Sequence, residues 1–159
     1  AVTLNGTLAY TGGAFTSTTG LTINATTGDI TPNTSTPGNY VVTYTILATP
    51  PCPGFTTTTN VIITQAPSAT ISYPVTNLCN VTNTSTTPNP PVTVNLSGTS
   101  GGTYSILPAT GLTINTTTGE ISPAGASSGP YVITYTIPGA GGCLNFSTTT
   151  NWSKQRHVM

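Results

Sequence analysis

Residues 20–32 read GLTINATTGDITP, and residues 111–123 read GLTINTTTGEISP, 91 residues further on. The same offset of 91 carries YVVTYTI at 40–46 onto YVITYTI at 131–137, Cys52 onto Cys143, Phe55 onto Phe146 and Asn60 onto Asn151. Upstream, GGAF at 12–15 meets GGTY at 101–104 at an offset of 89, so two residues are inserted between the matched segments of the second copy. A self-similar chain must be read as a repeat before anything else. A period near 90 residues is too long for a solenoid of single strands or helices, and it suits one β-sandwich per repeat.

The strands are legible in the alternation. In YVVTYTI, Tyr40, Val42, Tyr44 and Ile46 fall on one face and Val41, Thr43 and Thr45 on the other. In FTTTTNVIIT at 55–64, Phe55, Thr57, Thr59, Val61 and Ile63 share a face. The glycines of TTGD and TTGE, Gly28 and Gly119, mark tight turns, with Asp29 and Glu120 as turn residues whose carboxylates cap local N–H groups.

Composition agrees with this all-β reading. Thr supplies about a quarter of the 159 residues, and the apolar residues are mostly the β-formers Val, Ile, Leu and Tyr. Charged residues make up 3% of the chain, against about 25% in an ordinary soluble domain. They are Asp29, Glu120, Lys154 and Arg156.

That scarcity excludes function classes. Residues 1–153 hold no Lys or Arg to neutralise phosphates, so no nucleic-acid partner is expected. Two distant carboxylates cannot make a calcium cage, and no cofactor or metal is expected. Asp29 and Glu120 hold the same repeat position, so they are not a catalytic pair, and the single histidine, His157, lies in the C-terminal tail. No enzyme is expected. No apolar run approaches the roughly 20 residues of a membrane span.

The copies divide the chain at the joint TNVIITQAPSATISYP: a first repeat over 1–65 and a second over 66–159. In the second, ATISYPV at 69–75 reads as an opening strand and PVTVNLSG at 91–98 as the next. The first repeat begins with AVTLNG, the counterpart of that next strand, so it lacks its opening strand within this sequence. The sequence thus reads as a piece of something larger, with short, Pro-containing joints that favour a stiff, end-to-end rod. An exposed sheet edge could also accept a strand from another chain.

The three cysteines follow the repeat. Cys52 and Cys143 are equivalent, and Cys79 has no counterpart. The economical expectation is a Cys79–Cys143 disulfide, with the partner of Cys52 lying outside this sequence or on a neighbouring chain. Such a bond would stabilise by roughly 4 kcal/mol and imply an oxidising setting. Buried free thiols are the alternative.

Other motifs have plainer readings. LPATG at 107–111 matches a sorting signal, but strand pattern follows it, so it reads as a chance match. The many N-x-S/T triplets follow from Asn/Thr-rich composition. At the C-terminus the pattern breaks: Trp152 can replace Val61, whereas Lys154 falls on inward-facing Ile63. An unpaired buried ammonium would cost several kcal/mol. Residues 153–159 therefore read as an aberrant tail that either does not complete the sandwich as 62–68 do or belongs to a different sequence context.

The string T-G-L-T-I-N-x-T-T-G-[D/E]-I-x-P, followed by Y-V-x-T-Y-T-I and a cysteine, resembles the repeats of SprB-type gliding and adhesion proteins of Bacteroidota. Its core is also similar to the wider cadherin-like, immunoglobulin-like (Ig-like) repeats. The resemblance implies tandem Ig-like sandwiches, export by type IX secretion, and display at the cell surface as extracellular filaments. The expected role is a structural stalk in adhesion and gliding, with neighbouring repeats and other copies as partners. A carbohydrate-binding module for surface polysaccharide, or a donor-strand-assembled fibre subunit, is the alternative.

Overall fold

The computed structural model describes residues 2–4, 12–79 and 90–155, with Cys79 described by its backbone alone. It is an all-β, sandwich-like protein that divides into two compact units, Ala1–Gln65 and Ala66–Met159. Among the described residues no helix is long and apolar enough to cross a membrane.

Unit 1 carries a three-stranded antiparallel sheet in the order β1-β2-β3, built from β1 (Ala14–Ser17), β2 (Gly38–Ile46) and β3 (Phe55–Ile63). Strand β2 alternates as its sequence dictates. Tyr40, Val42 and Tyr44 are buried, while Val41 stays on the open face. Phe15 stacks on Tyr44 with ring centroids 4.6 Å apart, and these two with Val42 form the core of the unit.

Unit 2 has more layers. Strands β5 (Asn77–Cys79), β11 (Phe146–Gln155), β10 (Gly129–Ile137) and β7 (Thr103–Leu107) form one sheet in that order. Strands β4 (Ala69–Ser72) and β6 (Asn95–Gly98) form a second pair, and β8 (Thr113–Ile114) and β9 (Ile121–Ser122) a third. Between them lies a core that includes Ile71, Tyr73, Tyr104, Leu112, Ile121, Ile133, Tyr135 and Trp152. Tyr104 and Tyr135 repeat the 4.6 Å stack of Phe15 and Tyr44. The expected strand at 91–98 shortens to β6, with Val92 held instead by an isolated bridge to Ile121.

Strand β5 has no periodic signature in the sequence. Pro74 has no N–H to continue a ladder, so the chain leaves β4 there. It crosses to the other sheet and pairs parallel with the end of β11, Asn77 beside Ser153 and Cys79 beside Gln155.

The expectation of an aberrant tail from Ser153 is corrected for residues 153–155, which complete β11; residues 156–159, with Arg156 and His157, lie outside the described residues. The ladder is held on both sides, since Lys154 pairs with Gly129 of β10 and Leu78 of β5. Lys154 is buried in the inward position expected for its counterpart Ile63, and its Nζ donates to the Pro123 carbonyl at 3.1 Å. The aliphatic stem thus fills core space while the ammonium finds an oxygen at the edge of the core. Trp152 fixes the same stretch by donating its indole N–H to the Val75 carbonyl at 2.9 Å.

Candidate functional site

The repeated loop has the same asparagine-centred hydrogen bonds in both units. The Asn24 side-chain oxygen accepts from the N–H groups of Thr26 and Thr27 at 2.9 and 3.1 Å. Asn115 does the same for Thr117 and Thr118 at 2.9 and 3.0 Å. Gly28 N–H then donates to the Asn24 carbonyl at 2.9 Å, and Gly119 N–H to the Asn115 carbonyl at 2.8 Å. Gly28 and Gly119 have φ of 72° and 74°, where a side chain would be strained.

These bonds relocate the capping role. The N–H groups of the turn are capped by Asn24 and Asn115, one residue type that the sequence reading passed over. The Asp29 carboxylate instead accepts the Thr27 hydroxyl at 2.7 Å. Asn followed by two threonines and a glycine was the available signal, because a short amide side chain reaches back to N–H groups two and three residues on. Asp29 and Glu120 each serve their own turn, and among the described residues no group of three or more His, Cys, Asp or Glu comes together.

The cysteines are dispersed. Cys52 is an exposed thiol on the β2–β3 hairpin, bridged through its backbone to Thr49. Cys143 lies half-buried in the loop before β11, its N–H on the Ala140 carbonyl at 3.0 Å. Cys79 sits beside Gln155, at the other end of β11. A ten-residue strand spans about 30 Å, whereas a disulfide needs Cα atoms within about 7 Å. The backbone does not bring the expected pair together, and the side chain of Cys79 lies outside the described residues.

The LPATG segment begins at exposed Leu107 and occupies the loop after β7, where the two-residue insertion falls. It is a connection in the second copy that the first makes with a shorter turn.

Unit 1 carries a groove of about 240 Å³. Phe15, Val42 and Tyr44 form its floor, Phe55, Thr57 and Thr59 of β3 one wall, and Val2 to Leu4 the other. Phe55 is 45% exposed, and Thr57 and Thr59 are exposed although they lie on the inward face of β3. The reason is visible in unit 2, where β4 packs against β11 and their counterparts Phe146, Thr148 and Thr150 are half-buried. Ala69, Ile71 and Tyr73 point into that core, and the Tyr73 hydroxyl donates to the Gly119 carbonyl. Burial pushes the Tyr73 hydroxyl well above its ordinary titration range, with Tyr104 nearby adding to the rise. Burial likewise raises Tyr104, and Tyr135 adds to it.

In unit 1 the carbonyl equivalent to that of Gly119, on Gly28, accepts instead from the Val2 N–H at 3.2 Å. Val92, the counterpart of Val2, is registered two residues further along, exchanging hydrogen bonds of 2.9 and 3.0 Å with Ile121. The Val2 segment has thus slipped toward the place that a tyrosine hydroxyl fills in unit 2.

A scan against family models finds no match to this chain, and a search of curated proteins finds none either.

Proposed function

We propose that the chain is a pair of tandem Ig-like, cadherin-like sandwich repeats from the stalk of an extracellular adhesin filament, of the SprB-like kind that serves surface adhesion and gliding. The observation that carries this reading is the loop bonded through Asn24 in one unit and Asn115 in the other, atom for atom. A loop reproduced that closely, in units with one carboxylate each and no cation before Lys154, is what an iterated spacer needs: one solution to folding, used again. Residues 1–153 offer trypsin-like proteases no Lys or Arg, and so few charges leave little for salt to screen. Both properties suit a filament outside the cell. In such a filament adhesion arises from many weak contacts summed along the stalk.

Antibodies raised against the 159-residue chain test the reading on intact source cells. The expected result is surface labelling along extended filaments, with adhesion or gliding lost when the gene is deleted. Labelling that requires permeabilised cells would contradict it.

A further inference from the structure

Unit 2 departs from the pattern of unit 1 near the end of its last strand. Trp152 and Lys154 stand where unit 1 has Val61 and Ile63, two side chains without a polar atom. The departure adds anchors. The Trp152 indole N–H donates to the Val75 carbonyl at 2.9 Å, and the Lys154 ammonium to the Pro123 carbonyl at 3.1 Å. Between them the Ser153 N–H donates to the Thr76 carbonyl at 2.9 Å and opens the parallel ladder of β5 on β11. Three successive residues of β11 are thus tied to two separate segments. Trp152 and Lys154 are both buried, so water competes little for their bonds. In unit 1 the paired strands, β1 with β2 and β2 with β3, run antiparallel.

The direction of β5 decides what these anchors resist. Tension along the chain pulls β5 back toward its own start and β11 forward toward its own end. In a parallel pair these pulls oppose each other along the strands, so the patch is loaded in shear and its bonds must break together. A pair loaded at adjoining ends opens one bond at a time instead. Strand β4 lies upstream and pairs antiparallel with β6, so the load reaches β5 once β4 has given way. We propose that the β5–β11 patch, with the Trp152 and Lys154 anchors, is a mechanical clamp that holds the fold of unit 2 together when the chain is pulled along its length. The clamp gives the buried lysine a role that the aliphatic Ile63 cannot fill: it ties the end of β11 to the helical turn Pro123–Gly125. The inference deepens the stalk reading and rests on it, because only a chain under tension uses such a device.

Single-molecule force spectroscopy on the full 159-residue chain tests the clamp, with unit 2 recognised by its longer released length. One arrangement pulls on the two chain termini. The other pulls on the N-terminus and on an azide-bearing side chain in place of Ala140, an exposed residue ahead of β11. The second arrangement leaves the far end of β11 unloaded, so β5 peels rather than shears. At equal force, unit 2 should unfold roughly a hundredfold more slowly when pulled from its termini, the worth of about two hydrogen bonds broken together. Lys154→Ile, which installs the residue of the other copy, should speed unfolding from the termini about tenfold, yet leave the Ala140 axis unchanged and equilibrium stability no lower. Trp152→Phe, which keeps a ring and removes the N–H, should speed unfolding from the termini roughly three- to tenfold. Equal unfolding rates along the two axes, or a Lys154→Ile effect that is the same on both or absent from both, would overturn the inference. Equal rates in a protein that labels on intact cells would remove the clamp alone. Directional resistance in a protein that labels only in permeabilised cells would remove the stalk reading alone.

Discussion

Units 1 and 2 share a loop, a stacked aromatic pair and a β-hairpin in matching register, yet they bury different amounts of the same face. Leu112 and Ile121 of unit 2 are 2% and 0% exposed, whereas their counterparts Leu21 and Ile30 are only half-buried. Trp152 is 1% exposed, and its counterpart Val61 is half-buried. The loop sequences around Leu21 and Leu112 are nearly the same, so the difference there does not come from the residues being compared. It comes from β4, the strand that covers one copy and has no described equivalent on the other. Local sequence sets the strand and the loop, and a third element decides whether their inner face is core or surface.

The largest expected effect breaks the comparison at Trp152. Trp152→Ala removes the largest fully buried side chain of unit 2 and its bond to Val75, and should cost about 3–5 kcal/mol in chemical denaturation. Val61→Ala in unit 1 should cost about 1 kcal/mol, because that smaller side chain is only partly buried. Comparable losses would show that the two faces are equally closed.

Next in size, Ile71→Ala should destabilise unit 2 by about 2–4 kcal/mol by emptying the centre of β4. Unit 2 should then resemble unit 1, with the Phe146 ring more open to hydroxyl-radical labelling. A stable unit 2 after this change would detach β4 from the account.

A smaller effect is selective for pH. Tyr73 is held neutral by burial, with its folded value raised above the ordinary 10.0. The folded state therefore binds this proton more tightly than the unfolded chain does. Its contribution is complete below about pH 10 and falls as pH rises through the folded value. Unit 2 should weaken above about pH 10 faster in the native chain than in Tyr73→Phe, as thermal melts at increasing pH would show.

The smallest difference sharpens the likeness instead. Asn24→Ala and Asn115→Ala should each cost about 1 kcal/mol, because each removes one oxygen that caps two N–H groups. Unequal costs would mean that the shared loop does different work in the two units.

Much of this was legible from residues alone. Alternation placed Tyr40, Val42 and Tyr44 inward, and the 91-residue offset aligned the loops before any coordinates. What was not legible depended on contacts between distant segments. Phe55 has the pattern of a core residue and is exposed, because pattern cannot report that no strand among the described residues covers it. Lys154 has the pattern of an intruder and is accommodated, because the Pro123 carbonyl that receives its ammonium is 31 residues away in sequence. The crossing of β5 was hidden because three residues pairing parallel with β11 have no local signature. It is that crossing which carries Cys79 away from Cys143.

Native-state amide hydrogen exchange on the intact chain tests the central claim most directly, since it reads both copies in one sample under one condition. The account predicts that the amides of β10, from Tyr131 to Ile137, exchange on the order of a hundredfold more slowly than those of β2, from Tyr40 to Ile46, a gap of about 2.7 kcal/mol in opening free energy. Equal protection of the two strands would contradict it, because unit 1 would then be as fully closed as unit 2.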